Sequence, residues 1–265
     1  MNRLPSLPAS LTLLTLALSG IVAAWAGPPL ETETARLPHR GAWAADFAFE
    51  RQSSGQGTET AVPIALEYGL SDRIELLAEP VPYTAIHPDR SPRVSGAGDL
   101  ELTVTGLLAE ERGLRPAIAL AGEVKFPTAK NRLIGSGKTD YTGYLIASRR
   151  RGRFDTHANI GYTLIGQPSS VKVNDTLFLA LGEEVTLSER FDLLGEIFGN
   201  TSALPETPEG SGGESALTPE IGGSEVVGMV GVRYHPRRDI GCYLSICYDN
   251  NQAVLVRPGV TLALR

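Results

Sequence analysis

The chain lacks the long apolar runs of a helical membrane protein. After residue 26 no stretch of 18 apolar residues occurs. Helical periodicity is scarce as well. Positive charge is in deficit, with 24 Lys and Arg against 30 Asp and Glu, which argues against a nucleic-acid partner. Catalytic patterns are also missing. There is no G-x-S-x-G nucleophile elbow. His39, His87, His157 and His235 form no His-x-x-x-His pair for a metal. "GSGKTD" (135–140) echoes a phosphate-binding loop, but Arg132 stands where that pattern requires glycine. The acidic loop "PETPEGSGGESALTPE" lacks the spacing of an EF-hand and reads as solvated surface. No catalytic residue, metal ligand or cofactor is expected. The two cysteines, Cys242 and Cys247, lie in "DIGCYLSICYD". Five positions along a strand span roughly 16 Å, and a disulfide needs Cα atoms within about 7 Å. They are expected to stay unpaired.

What is present begins with an export signal. "MNRLPSLPAS" carries Arg3 and no acid, "LTLLTLALSGIVAA" is apolar, and Ala24-Trp25-Ala26 fits a signal-peptidase site. Residues 1–26 are therefore predicted to be a cleaved secretory signal, cut between Ala26 and Gly27. The apolar run falls short of the roughly 20 residues of a spanning helix, which disfavours an uncleaved anchor. Residues 27–40 are predicted to form a short periplasmic segment, and 41–265 the folded domain.

Over that domain, period-2 alternation marks candidate strands at 41–50, 58–68, 73–81, 98–109, 114–127, 139–149, 154–164, 174–187, 190–200, 224–234, 239–249 and 253–265. The connections between them alternate long and short until the last. A soluble sandwich has no physical reason to gather its short turns at one end. An outer-membrane barrel does, because its periplasmic turns are short and its extracellular loops long. The candidates also approach the roughly 9–11 residues of a membrane strand, beyond the about 5–6 of a soluble one. Trp43, Tyr68, Phe154, Phe191 and Tyr234 fall near the ends assigned to the periplasm. Tyr83, Phe126, Tyr141, Phe198 and Tyr248 fall near those assigned outside, completing two interfacial girdles. The predicted fold is all-β: a single transmembrane antiparallel barrel of about 12 strands with both termini periplasmic. It would lie in the outer membrane of a Gram-negative bacterium, with membrane lipid and the barrel-assembly machinery as partners. The alternative is a soluble or lipocalin-like β protein.

Several stretches are familiar: "PIALEYGLSDRIELLAE" (63–79), "GAGDLELTVTGLL" (96–108), "LAGEVKFPTAKNRLIGSGKTDYTGYLIASRR" (120–150), "ANIGYTLIG" (158–166) and "LLGEIFG" (193–199). With the C-terminal "RPGVTLAL" they cover most of the chain after residue 26, and in them the sequence resembles the outer-membrane transporter-like family of the "meta-pathway of phenol degradation". The resemblance implies a barrel that admits small solutes, aromatic or hydrophobic ones among them, and it brings no catalytic residues. One departure is the last residue, Arg265, where such barrels usually end on an aromatic.

If Val62, Ile64, Leu66, Leu100, Leu102, Ile118, Leu120 and Ile160 face lipid, the alternate residues face the lumen. That places Asp46, Glu67, Glu75, Glu79, Asp99 and Glu101 inside. Glu123, Lys125, His157, Asn159, Glu184 and Glu196 join them. Two functions follow from this acidic wall. It lines a pore that favours neutral or cationic solutes, or its acids pair with Lys125, Arg149, Arg233 and Arg257 and close a non-conducting barrel. Glu123 and Lys125 can pair with each other or with neighbouring strands.

Overall fold

The computed structural model describes residues 30–89, 91–167, 172–204 and 223–264. The predicted signal 1–26, its cleavage site at Ala26 and Gly27, the acidic loop and Arg265 lie outside the described residues. The described part is all-β. Its segments are β1 (Trp43–Ala48), β2 (Glu50–Ser54), β3 (Gly57–Val62), β4 (Ile64–Ser71), β5 (Ile74–Pro80), β6 (Tyr83–Pro88), β7 (Val94–Gly96) and β8 (Leu100–Ala109). They continue with β9 (Ala117–Phe126), β10 (Asp140–Arg151), β11 (Phe154–Leu164), β12 (Thr176–Ser188), β13 (Phe191–Asn200), β14 (Glu225–Arg237), β15 (Ile240–Asp249) and β16 (Val254–Leu264). In four places two successive segments are halves of one wall strand: β1 with β2, β3 with β4, β5 with β6 and β7 with β8. The result is a closed, antiparallel barrel of 12 strands. β16 closes it by pairing with β1, Trp43 opposite Leu264 and Ala48 opposite Gly259.

The halved strands meet where the ladder loses donors. Pro63 separates β3 from β4 and Pro82 lies between β5 and β6, and a proline has no N–H to give. Pro258 faces the gap between β1 and β2, where its carbonyl takes the Phe49 N–H at 3.0 Å. Gly98 precedes β8 and donates to Val81 at 2.8 Å. A Cβ at Gly98 would stand 2.9 Å from the Val81 Cβ, so the close approach requires glycine.

These interruptions explain two departures from expectation. Residues 51–57 and 82–97 read as loops, yet β2, β6 and β7 fall within them and β3 opens at Gly57. The first connection is only 55–56, because the hairpin continues as a ladder. Elsewhere the short connections, 72–73, 152–153, 189–190 and 238–239, gather at one rim with the somewhat longer 110–116. The longer ones, 127–139, 165–175 and 201–224, gather at the other, where 250–253 is the short exception expected from the sequence.

Side chains alternate across the wall as lipid on one face and water on the other require. Leu102, Val104, Leu145, Ile160, Leu179, Ile197, Val230 and Ile246 point outward. Trp43 stacks on its cross-strand neighbour Tyr68 at 4.5 Å, and Phe191 on Tyr234 at 5.0 Å, at the short-turn rim. Tyr83, Phe126, Tyr141, Phe154 and Tyr248 are outward too. Phe198 is not. It shares the inward face of Leu194 and Glu196 and packs with Leu30, Val227 and Met229, so its assignment to the girdle is corrected. Glu183 is an outward carboxylate, steadied by the Thr156 hydroxyl at 2.6 Å. Cys242 is exposed, Cys247 is buried, and both are free.

A cation on the lipid face tests this alternation. Val230→Arg, near the middle of β14, is expected to destabilise the barrel by about 2–4 kcal/mol. Val226→Arg, near the rim, should cost about 0–1 kcal/mol. Denaturant titration of protein refolded in lipid vesicles reads the difference, and equal costs would contradict the assigned depth.

Candidate functional site in the lumen

The barrel interior is filled from the chain's own start. Residues 30–36, "LETETAR", run through the lumen with bends at Glu31, Thr32 and Ala35, and several of their backbone polar groups find partners on the wall. This corrects the expectation that 27–40 is simply a periplasmic segment. The Glu31 and Thr32 amides donate to the Glu196 carboxylate at 3.0 and 2.6 Å, and the Thr32 hydroxyl joins them. The Glu33 amide donates to Asn159 Oδ1 at 2.6 Å, and Asn159 Nδ2 returns a bond to the Glu33 carbonyl at 2.9 Å. The Ala35 amide donates to Ser148 Oγ at 2.8 Å, which lies 2.9 Å from His157 Nδ1. Asn159 thus acts as a backbone mimic, satisfying both groups of one residue.

The ends of the segment are fixed differently. At the short-turn rim the Arg36 guanidinium straddles Asp155, with Nε and Nη2 at 3.0 and 2.8 Å, and reaches Glu111 at 2.7 Å. Arg150 pairs with the same Asp155. Deeper in, Leu30 enters an apolar patch of Leu194, Val227, Met229 and Cys247, with Phe198 and Leu255 against it. Gly182 makes room, since a Cβ there would lie 3.1 Å from the Thr32 hydroxyl. Glu31 is held by Arg257 Nη2 at 2.5 Å, whose Nε lies 2.6 Å from Glu50.

The wall residues singled out from the sequence, Asp46, Glu67, Glu75, Glu79, Asp99, Glu101, Glu123, Lys125, His157, Asn159, Glu184 and Glu196, all lie on the inner face. They do not act as one group. Glu196, Asn159 and His157 serve the segment, as above. Asp46 accepts the Tyr243 hydroxyl at 2.8 Å. Glu184 forms a two-pronged pair with Arg233 at 3.1 and 3.2 Å. Lys125 does not pair with Glu123. It pairs with Asp140 on β10 and lies 4.0 Å from Asp99, while Glu123 accepts Tyr144 at 3.1 Å and Thr142 at 3.3 Å. Arg149 is corrected as a lumen base: Ser148 and Arg150 point inward, so Arg149 points out. Asp155, Ser148, Glu111 and the segment itself were not singled out. Asp155 lay on the same polar face as His157 and could have been found by parity. Glu111 lies in a turn and carries no such signal.

Two cavities flank the segment. The larger, ≈ 380 Å³, lies between Thr32–Thr34 and the wall of β4, β5, β8, β9 and β10, with Glu67, Glu75, Glu79, Glu101 and Glu123 in its lining. Tyr144 and Phe178 line it as well. The smaller, ≈ 200 Å³, is lined by Phe198, Val227, Leu255 and Arg257. Tyr144, Phe178 and Phe198 make an inward aromatic file, with centroids 6.2 Å apart at each step.

No family model and no curated protein matches the chain. Solved structures do. The COG4313 outer membrane channel from Pseudomonas putida F1 superposes with a TM-score of 0.65 at 12% identity, over 90% of this chain and 99% of that one. This is the fold of a Gram-negative outer-membrane barrel. The NanC porin gives 0.59 at 12% identity, covering 82% of this chain and 98% of its own. The KdgM porin gives 0.54 at 11%, covering 84% and 99%. Against a plain outer-membrane barrel, the feature to account for is the chain running through its middle.

Arg36 is the test of how that segment is held. Removing one partner of a buried ion pair costs roughly 3–5 kcal/mol, and less where, as here, the guanidinium keeps some solvent. Arg36→Met is expected to speed amide exchange over 30–36 by about tenfold or more, leaving the wall strands protected. Hydrogen–deuterium exchange by mass spectrometry reads this, and unchanged exchange would show the clamp idle.

Proposed function

We propose that this protein is an outer-membrane channel for small solutes, occluded at rest by its own residues 30–36. The observation that carries the proposal is the hydrogen-bonded passage of that segment through a polar, cavity-bearing lumen. A wall filled by its own side chains would need no such insert, and a 12-stranded barrel stands between filled eight-stranded barrels and open 16-stranded ones. The short-turn rim faces the periplasm, following the usual loop asymmetry, and the chain arrives there after removal of residues 1–26 by signal peptidase.

The solutes are small and neutral or cationic. Aromatic ones fit the file of Tyr144, Phe178 and Phe198, in keeping with the resemblance to the phenol meta-pathway family. Porin and channel structures, not enzymes, are what the fold resembles. A second reading, a permanently plugged barrel serving adhesion or envelope integrity, draws on the fastening of the segment at both ends.

Planar-bilayer recording separates the two. The intact chain is expected to show small, infrequent openings, and a variant lacking 30–36 larger and steadier ones. Absence of channel events from both proteins, with no solute uptake by proteoliposomes, would leave the structural reading.

A further inference from the structure

The larger cavity is lined by carboxyl groups that nothing in the fold pairs. The lumenal bases are occupied: Arg36 and Arg150 by Asp155, Lys125 by Asp140, Arg233 by Glu184, and Arg257 by Glu31 and Glu50. Around the cavity Glu33, Glu67, Glu75, Glu79 and Glu101 are left. Among the described residues their carboxylates have no hydrogen bond and no ion pair, and Glu75 is only 5% exposed. A carboxyl group so placed stays neutral or takes a cationic partner, because an unpaired ionised carboxylate away from bulk water is costly.

The shape of the group says what kind. Among the described residues no cluster of carboxylates converges closely enough to hold a metal ion. The carboxyl groups form a ladder instead. Glu75 and Glu79 lie four positions apart on β5, roughly 13 Å along the strand. Glu67 on β4 stands opposite Leu77, between their levels, and Glu101 on β8 stands level with Glu79 and opposite Lys125 on β9. The repeat is thus roughly 6–7 Å per step, of the same order as the nitrogen spacing in an aliphatic amine chain. Leu77 and Ala65 give methylenes an apolar surface between the acids. Tyr144 and Phe178 also line the cavity, and aromatic rings attract ammonium groups.

We propose that this cavity is a binding site for a linear aliphatic polyamine, its protonated nitrogens matched to the ladder of Glu75, Glu67 and Glu79 with Glu101. The inference names a substrate class for the channel proposed above and rests on that reading for the solute's route.

Titration calorimetry of the full chain in detergent, with spermidine and n-butylamine at matched ionic strength, tests it. Spermidine is expected to bind saturably, and butylamine about tenfold or more weakly, since each charge-assisted contact contributes separately. The double variant Glu75→Gln/Glu79→Gln should lose about tenfold or more for spermidine. Glu110→Gln/Glu189→Gln, which removes equal charge from exposed turns, should bind as the native chain does. Equal binding of the two amines by the native protein would overturn the site without reliance on any variant. So would retention by the cavity variant, or an equal loss in the turn variant. Bilayer conductance in potassium chloride is measured alongside. Conductance without spermidine binding sinks the site and keeps the channel; binding without conductance keeps the site and sinks the channel.

Discussion

In hydrocarbon an unpaired peptide group costs several kcal/mol, and the seam between β1 and β16 removes the last row of them. Everything else in the molecule presupposes that closure. It turns a strip of alternating residues into an inside and an outside, and it brings residues from the two ends of the chain into contact. Tyr243 reaches Asp46 and Arg257 reaches Glu31 only because the sheet has no edges.

Closure creates an interior that cannot be treated like a soluble core. A soluble sandwich fills its inside with branched apolar residues, whereas this wall turns carboxylates, threonines and arginines inward. Those groups need partners, and an extended peptide supplies them well, since each residue offers one donor and one acceptor. Residues 30–36 use that property. Glu196, Asn159 and Ser148 receive main-chain groups of the segment much as a neighbouring strand would. The side facing Glu67, Glu75 and Glu79 receives no such complement from the segment, and the unpaired carboxyl groups collect there.

Most of the barrel was legible because its two solvents write themselves into the sequence with period 2. Leu102, Val104 and Ile160 could only be outward once Glu101, Thr103 and Asn159 were inward. The pattern faded where the solvents stop differing. β2, β6 and β7 carry little alternation, so they read as loop. Phe198 misled because nearness to a strand end was given more weight than its parity with Glu196. Residues 30–36 were illegible for another reason. Their bonds run to residues from 75 to 226 positions away, and no local spacing encodes such partners.

The distance in sequence between Glu31 and Arg257, 226 positions, also sets an order of events. Glu31 belongs to the first described stretch and Arg257 to the last strand. Until that strand arrives, the early segment has only part of its cradle, and contacts this remote are slow to form because their loop-closure entropy comes due first. The cradle of the segment is complete only when the wall is, so full seating of residues 30–36 follows closure of the seam between β1 and β16.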